Sequence, residues 1–576
     1  MATAVYALGI DSSTQSCSAI VLDLTNDRVV AEGSINFGQA LPQYGAPQGF
    51  IPPSTRGRAD NEIHSDPLMW LDALDMLMES LGQKCDLAKI KFISGAGQQH
   101  GSVYLNSSWF ETVSNLSSKK KLSEQIRPCL SRKSSPIWMD TSTKLECEEI
   151  GAAIGSPEEV CKISGSAPTE RFTGPQIRKF FKSSNKQYEE TRRIHLVSSF
   201  IGSIIAGVDS PIDTGDGAGM NLMNIASLDW DESLINATAP NLLGKLPRIC
   251  HGDYNITSSI SNYFVAKYGF SNDCAVVIFT GDNPSSLVGM AANSPGAVVI
   301  SLGTSDTFFA AMDDPCTDPN GSGHVFGNPV KITALDGNRT GSETSSKEPR
   351  NPKYMTLQCF LNGSLAREKV RNFFGMSWRD FSNALSNTEI GNNNNIMLPF
   401  FGNEISPKII ESNIEPEMNG DDDFKNWKRP SETARACVEC QMMNMKCCVE
   451  WMQLKPAQVF LTGGASENDH IGQIVANVFQ TRVSRLKCNY ACSLGGALRA
   501  ASYGKGSTYA LQSLQHVFCR IDNNRDIMPS VTGQENVYDK LLESYRATLL
   551  AFRERLDERK EMTGIHSGQH HISQHK

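Results

Sequence analysis

The chain has 576 residues, 40% of them apolar and 20% charged, which is globular composition too long for one hydrophobic core, so two or three domains are expected. Its 54 basic and 62 acidic residues give a net charge of -8. That leaves no basic field for capturing nucleic acid, although a local positive pocket for a phosphorylated ligand is compatible with it.

The N-terminus, Met1 to Tyr6, lacks the basic start of a signal peptide and runs straight into a strand. The richest apolar stretch, Phe200 to Val208, is short and broken by Gly202 and Gly207, below membrane-spanning length. A cytoplasmic location is therefore expected, with small molecules as partners, no nucleic acid and no membrane; nothing in the sequence bears on oligomeric state. In a reducing compartment the 16 irregularly spaced cysteines are expected to be free thiols.

In chain order, Ala4 to Ile10, Ala19 to Leu24 and Arg28 to Glu32 read as an antiparallel meander. Its first turn, Asp11-Ser12-Ser13-Thr14-Gln15-Ser16, follows Gly9. Asp66-Pro67 starts a helix with Trp70, Leu74, Leu77 and Leu81 on one face and Asp72, Asp75 and Glu79 on the other. Ile90 to Ile93 then enters the turn Ser94 to Gly101, which contains Gln98-Gln99-His100, giving an α/β unit.

The apolar run Ala275 to Phe279 leads into Thr280-Gly281-Asp282-Asn283-Pro284. Locally this is a buried strand leaving its sheet, with Asn283 as N-cap and Pro284 as the first helical residue. Asp282 is then a turn or capping acid, or a carboxylate with a chemical task.

From Gly296 the pattern recurs: Ala297 to Ile300, a turn from Ser301 to Thr307, and a return strand Phe308 to Met312. Two related domains facing each other across a cleft are expected. A third glycine turn, Thr462-Gly463-Gly464-Ala465-Ser466, follows the strand Gln458 to Leu461 and enters a helix with Ser466 as cap and Asp469 as the capping-box acid. Cys492 to Leu498 suits a helix start packed against that third turn. Cys437, Cys440, Cys447 and Cys448 raise the question of a metal. However, Ala434, Cys437, Val438, Met445, Cys448, Val449 and Met452 form a 3.6-residue stripe opposite Arg435, Glu439, Lys446 and Glu450, so a core helix is expected. Residues 335–352 lack apolar periodicity and are expected to be a mobile insertion, and the histidine-rich tail from Gly564 is expected to be disordered.

Phosphate needs converging donors and a closely approaching backbone, which is why glycine and hydroxyl residues fill phosphate loops. Gly9, Ser12, Ser13 and Thr14 supply them in one turn and Gly303, Thr304 and Ser305 in the other. Asp11 adds a carboxylate that is useful where magnesium stands between it and phosphate. Glycines after the third strand leave room for a flat nucleotide base against backbone.

Five segments taken together, Gly9 to Gln15, Gly97 to Gly101, Thr280 to Pro284, Ser301 to Ser305 and Thr462 to Ser466, resemble the FGGY carbohydrate kinase family. More narrowly they are similar to its eukaryotic xylulose-kinase branch, a likeness that also covers Pro136 to Asp140, Glu170 to Gly174 and Leu196 to Phe200.

The resemblance implies an α/β fold of two ribonuclease-H-like domains of the actin, hexokinase and heat-shock ATPase type, with ligands in the interdomain cleft. The expected limits are residues 1–290 for the sugar-side domain, 296–505 for the nucleotide-side domain and 506–576 for a helical extension and tail. It implies ATP and Mg2+ as cofactors, with Asp11, Ser13 and Thr14 serving phosphates and metal, Gly303 and Thr304 completing the phosphate grip, and Gly464, Ala465 and Asn468 holding adenosine. Trp378 falls where a nucleotide-contacting tryptophan is expected, or is a half-buried anchor of its own helix. Sugar contacts map to His100, Arg171, Asp282 and Asn283. Arg171 has a surface pair with Glu170 as its alternative, and the roles of Gln98 and Gln99 stay open.

The implied activity is phosphorylation of D-xylulose to D-xylulose 5-phosphate, with Asp282 as general base. The rivals are a family member acting on ribulose, glycerol or fucose, and a non-catalytic nucleotide or sugar sensor.

Overall fold

The first three strands form where alternation and turn chemistry place them, at Tyr6–Ser12, Ser16–Asp23 and Arg28–Asn36, all antiparallel. Asp11 and Ser12 belong to the first strand, opposite Ser18 and Cys17, so the turn shrinks to residues 13–15. The computed structural model describes residues 4–250, 252–330, 352–411, 414–485, 490–519, 525–531 and 537–563. The expected insertion 335–352, apart from Pro352, and the histidine-rich tail lie outside these residues.

Helix Pro67–Gly82 is capped by Asp66, whose Oδ1 accepts the Leu68 N–H at 2.9 Å. Trp70, Leu74, Leu77 and Leu81 are fully buried under the sheet, each contributing about 1.5–3 kcal/mol by the area rule. Strand Ile90–Gly97 then runs parallel to Tyr6–Ser12. The sheet is completed by Ala275–Val277 and Asn255–Thr257 on its far side, while the two-residue strand Thr280–Gly281 pairs with the end of Ile90–Gly97.

The second sheet repeats this plan. Ala297–Leu302 pairs antiparallel with Asp306–Met312, and that strand with Tyr354–Phe360. Gly323–Gly327 forms the edge, and Gln458–Thr462 and Arg482–Arg485 continue the other side in parallel. Each half is therefore an antiparallel meander extended by parallel strands, and each places a hydroxyl-containing turn at the same end of its first hairpin, Ser13 and Thr14 in one and Thr304 and Ser305, after Gly303, in the other.

Two expectations about packing change. Helix Ala491–Tyr503 leaves the second sheet and lies on the first, against Tyr6–Ser12 and Ile90–Gly97. Gly9 lies under it, in mid-strand opposite Ile20 and Ser94 rather than in the phosphate turn. A Cβ on Gly9 would sit 1.8 Å from the Ser493 carbonyl oxygen, so this glycine is required by the helix and not by a ligand.

Helix Pro430–Cys448 is buried on both sides. Arg435 and Glu439, expected to face solvent, are 5% and 0% exposed and pair at 2.6 Å. Helices Trp378–Asn387 and Val537–Thr563 cover that face, and the Tyr538 hydroxyl donates to Glu439 Oε1 at 2.7 Å. Cys437 and Cys440 are core side chains, Cys447 and Cys448 pack half-buried against that core, and no cluster of metal-ligating groups occurs among the described residues.

Candidate active site

The register of three strands brings the two acids of interest together. Asp11 pairs with Ala96, and Ala96 pairs on its other side with Thr280. Asp11 and Asp282 thus leave the same end of the sheet two strands apart, a span of about 10 Å between backbones.

Asp282 opens the helix Asp282–Gly289, with Gly281 as N-cap. Asn283 is therefore not the cap, because the helix starts two residues earlier than its Pro284 suggests. Asp282 Oδ1 instead accepts the N–H groups of Asn283 at 2.9 Å and Gln99 at 3.4 Å and the Asn283 side-chain amide at 3.2 Å. Asp282 keeps part of its surface open, yet dense protein surroundings push its carboxyl up to about 6. Asp11, more deeply placed, is pushed up to about 8 by burial and then by Asp282, and its Oδ1 has no protein partner.

His100 takes a left-handed backbone, φ 69°, that turns its ring inward. Its Nδ1 lies 2.8 Å from the Gly219 carbonyl, which can only accept, so Nδ1 carries the proton and Nε2 is left as an acceptor. The ring stacks on Phe172 at 4.2 Å, and burial, aided by the nearby Arg171 guanidinium, holds its pKa down to about 3. Arg171 reaches across to His324, Nη2 to Nε2 at 3.1 Å, rather than forming the surface pair with Glu170. Asn283 Nδ2 donates to Gln99 Oε1 at 2.9 Å. His100, Arg171, Asp282 and Asn283 therefore meet in one cluster joined by Gln99 and Phe172.

At the first turn Ser13 Oγ donates to the Ser16 carbonyl at 3.0 Å, and the Thr14 hydroxyl accepts from the half-exposed Trp138 indole at 2.8 Å. The second turn is held from behind by a buried ion pair, Arg367 to Asp306 at 2.9 Å, with the Ser364 N–H on the Gly303 carbonyl at 2.9 Å. Thr304 and Ser305 are left exposed. At the third turn the helix cap is Asn468, whose Oδ1 accepts from the N–H groups of His470 and Ile471 at 2.9 and 3.2 Å. Ser466, the expected cap, lies in the short turn Gly464–Glu467 and donates instead to the Gly463 carbonyl at 2.7 Å.

Gly303, Thr304, Trp378, Gly464, Ala465 and Asn468 all line one cavity of about 850 Å³. Asp11, Ser13 and Thr14 are not among its walls. Trp378 is 46% exposed, with the Arg371 guanidinium 4.4 Å above its ring.

Sequence reasoning missed several supports. His324, Arg367 and Arg499 carry no local signal, since their partners are distant in the chain. The segment Asp213–Asn221 was detectable as a run of Asp and Gly, and it underlies the whole cluster. Asp213 accepts from Thr280 Oγ1 at 2.5 Å, Gly219 orients His100, and Asn221 donates to the carbonyl of Ser166, whose hydroxyl contacts His324.

Twin sheets, a polar cluster at the end of one and a cavity walled by the other define a two-substrate enzyme of the sugar-kinase type. The chain belongs to the FGGY family of carbohydrate kinases: the N-terminal domain of that family matches residues 6–289 and the C-terminal domain residues 298–503. It is thus a phosphotransferase, and its family implies ATP as co-substrate. It is 38% identical over 508 residues to "Xylulose kinase 2" of Arabidopsis thaliana, covering 86% of each chain. It is also 38% identical over 498 residues to "Xylulose kinase" of Rattus norvegicus, covering 86% of this chain and 87% of that one. Among solved structures, a ligand-bound xylulose kinase from Lactobacillus acidophilus superposes with a TM-score of 0.73 at 20% identity, over 95% of this chain and 98% of the other. That likeness concerns the fold alone. No helix among the described residues is long and apolar enough to cross a membrane.

Proposed function

We propose that this kinase transfers the γ-phosphoryl group of ATP to the terminal C5 hydroxyl of D-xylulose. The plant and mammalian relatives at 38% identity are named xylulose kinases, which supports this reading of the acceptor sugar. The observation that carries the chemistry is the placement of Asp282, a carboxylate with an open edge, raised pKa and backbone donors on one oxygen only.

A primary hydroxyl attacks well only as its proton is removed, so Asp282 takes that proton while His100 Nε2, Arg171 and Asn283 hold the sugar's other oxygens. A base near pKa 6 is ionised at neutral pH yet basic enough to share a proton in the transition state.

The cavity of about 850 Å³ has room for a nucleotide. Gly464, Ala465 and Asn468 are assigned to adenosine, Trp378 to a stacking face, and Gly303 and Thr304 to the phosphates, with Ser13 and Thr14 approaching from the facing turn. Asp11, a hard oxygen donor with an unpartnered Oδ1 beside a second carboxylate, fits a divalent cation such as Mg2+. When bound, that ion would neutralise phosphate charge at this point. Closure of the two halves would exclude water so that ATP is not spent on hydrolysis. A cytoplasmic setting fits the free thiols among the described cysteines.

The test is a coupled ADP-release assay over D-xylulose, D-ribulose, glycerol and L-fucose. The expected result is a kcat/KM for D-xylulose at least tenfold above the others, and a higher value for any of them overturns the assignment.

A further inference from the structure

Four polar atoms of buried side chains near Asp282 have no partner: Asp11 Oδ1, Gln98 Oε1, Gln99 Nε2 and Asp216 Oδ1. Such atoms are few in native proteins, and each costs about 1–3 kcal/mol when left unmade. A polar ligand seated beside Asp282 would supply the partners these four lack. Three belong to motifs already assigned to the site, and Asp216 does not.

Asp216 is 1% exposed and lies in the short helical turn Thr214–Gly217. Its Oδ2 accepts a hydrogen bond from the hydroxyl of Ser198, a residue held against the site because Gly97 packs on its backbone. Asp216 forms no ion pair among the described residues. The cation that reaches this segment, Arg499, is committed to Asp213 at 3.1 Å.

Three residues on, Gly219 fixes His100 through its carbonyl and lies close under the ring. A Cβ on Gly219 would sit 3.1 Å from His100 Cε1 and 3.6 Å from Gln99 Nε2. Burial, then repulsion from Asp282 and Asp213, raises the Asp216 carboxyl well above its ordinary range. With Ser198 donating to Oδ2, the proton belongs on Oδ1, the unpartnered atom.

We propose that Asp216 is a further sugar-binding residue, a neutral carboxylic acid whose Oδ1–H donates a hydrogen bond to an oxygen of the acceptor sugar beside His100 and Asp282. It supplies what those two lack. His100 Nε2 and ionised Asp282 only accept, whereas each sugar oxygen also needs a donor, and a pocket built to satisfy such an oxygen rejects substrates without it. This inference rests on the reading that the Asp282 cluster holds the acceptor sugar.

The experiment compares wild type, Asp216→Asn and Asp216→Leu by calorimetric titration of the nucleotide-free proteins with D-xylulose, together with initial rates against pH. Asp216→Asn keeps an oxygen for Ser198 and offers a weaker N–H in place of the acid proton, so sugar affinity falls three- to tenfold. Asp216→Leu offers nothing, and affinity falls at least thirtyfold while the KM for ATP stays within twofold of wild type. The acid limb of kcat/KM stays in place in Asp216→Asn, because a neutral Asp216 puts no charge on Asp282.

Equal losses in the two variants, wild-type affinity in both, or an acid limb shifted downward in Asp216→Asn would each overturn the proposal. Should Asp216→Leu fail to fold, Asp216→Asn decides through its titration and pH profile. If wild type binds D-ribulose or glycerol but no D-xylulose, the substrate reading fails, and the same comparison is made on the sugar that binds.

Discussion

The N–H of Gln99 points at Asp282 Oδ1 from 3.4 Å, a contact set up because Gly281 pairs with Gly97 just before both chains turn away from the sheet. One carboxylate oxygen is thereby occupied by backbone, which orients the group without neutralising it. Asp282→Asn preserves this geometry and removes the base. Turnover is expected to fall by roughly 10² to 10⁴, with D-xylulose affinity within about threefold of wild type by titration. Near-normal kcat would remove Asp282 from the role.

The raised pKa sets the pH response. Asp282 acts only when ionised, and its carboxyl sits at about 6, so kcat/KM should be flat near neutrality and lose about a factor of ten per pH unit below 6. The residual rate of Asp282→Asn should lack this limb. An acid limb of unchanged position in that variant would assign it to another group.

Trp378 presents a half-exposed indole to the cavity that also holds Gly464 and Asn468. Trp378→Ala should raise the KM for ATP about three- to tenfold, the scale of one aromatic contact. Its melting temperature should stay within about 2 °C of wild type, since few core contacts are lost. An unchanged KM would return Trp378 to a purely local role.

Gly9 tests the packing of helix Ala491–Tyr503. Gly9→Ala puts a methyl group against the Ser493 carbonyl and the Ala497 N–H, both backbone. A loss of about 3 kcal/mol or more is expected, at the upper end for overpacking, measurable as a lowered melting temperature. Unaltered stability would mean that the helix shifts freely.

Arg499 and Asp213 form a buried pair, 0% and 1% exposed, that ties this helix to the segment beneath Thr280. Arg499→Met leaves Asp213 unpaired and should cost about 3–5 kcal/mol. Adding Asp213→Asn should recover part of it. A double variant no more stable than the single one would show that the charge itself is not what costs.

Much of the fold was legible because it is local. Alternating strands, the Asp66-Pro67 helix start and the repeated hairpin with its hydroxyl turn are written in adjacent residues and form close to where their chemistry places them, although Gly9, Asp11 and Ser12, read with the first turn, belong to its strand. The same holds for the candidate residues as a set, since a carboxylate, a histidine and hydroxyl turns at strand ends are recognisable without coordinates. Local signals misled where two fitted almost equally. Asn283 and Ser466 are both plausible caps, but the helices begin at Asp282 and Asp469 because strand pairing and backbone turns fix where each helix can start.

What the tertiary structure alone decided is partnership across long separations. Gly9 answers to Ser493, Arg171 to His324, Asp213 to Arg499, and Arg435 with Glu439 to a helix a hundred residues away. None of these has a period or a spacing, because the energy that selects them is burial and charge pairing set by how the two sheets and their covering helices meet. The sequence by itself determined which groups could do chemistry, and packing determined which of them share a low-dielectric pocket.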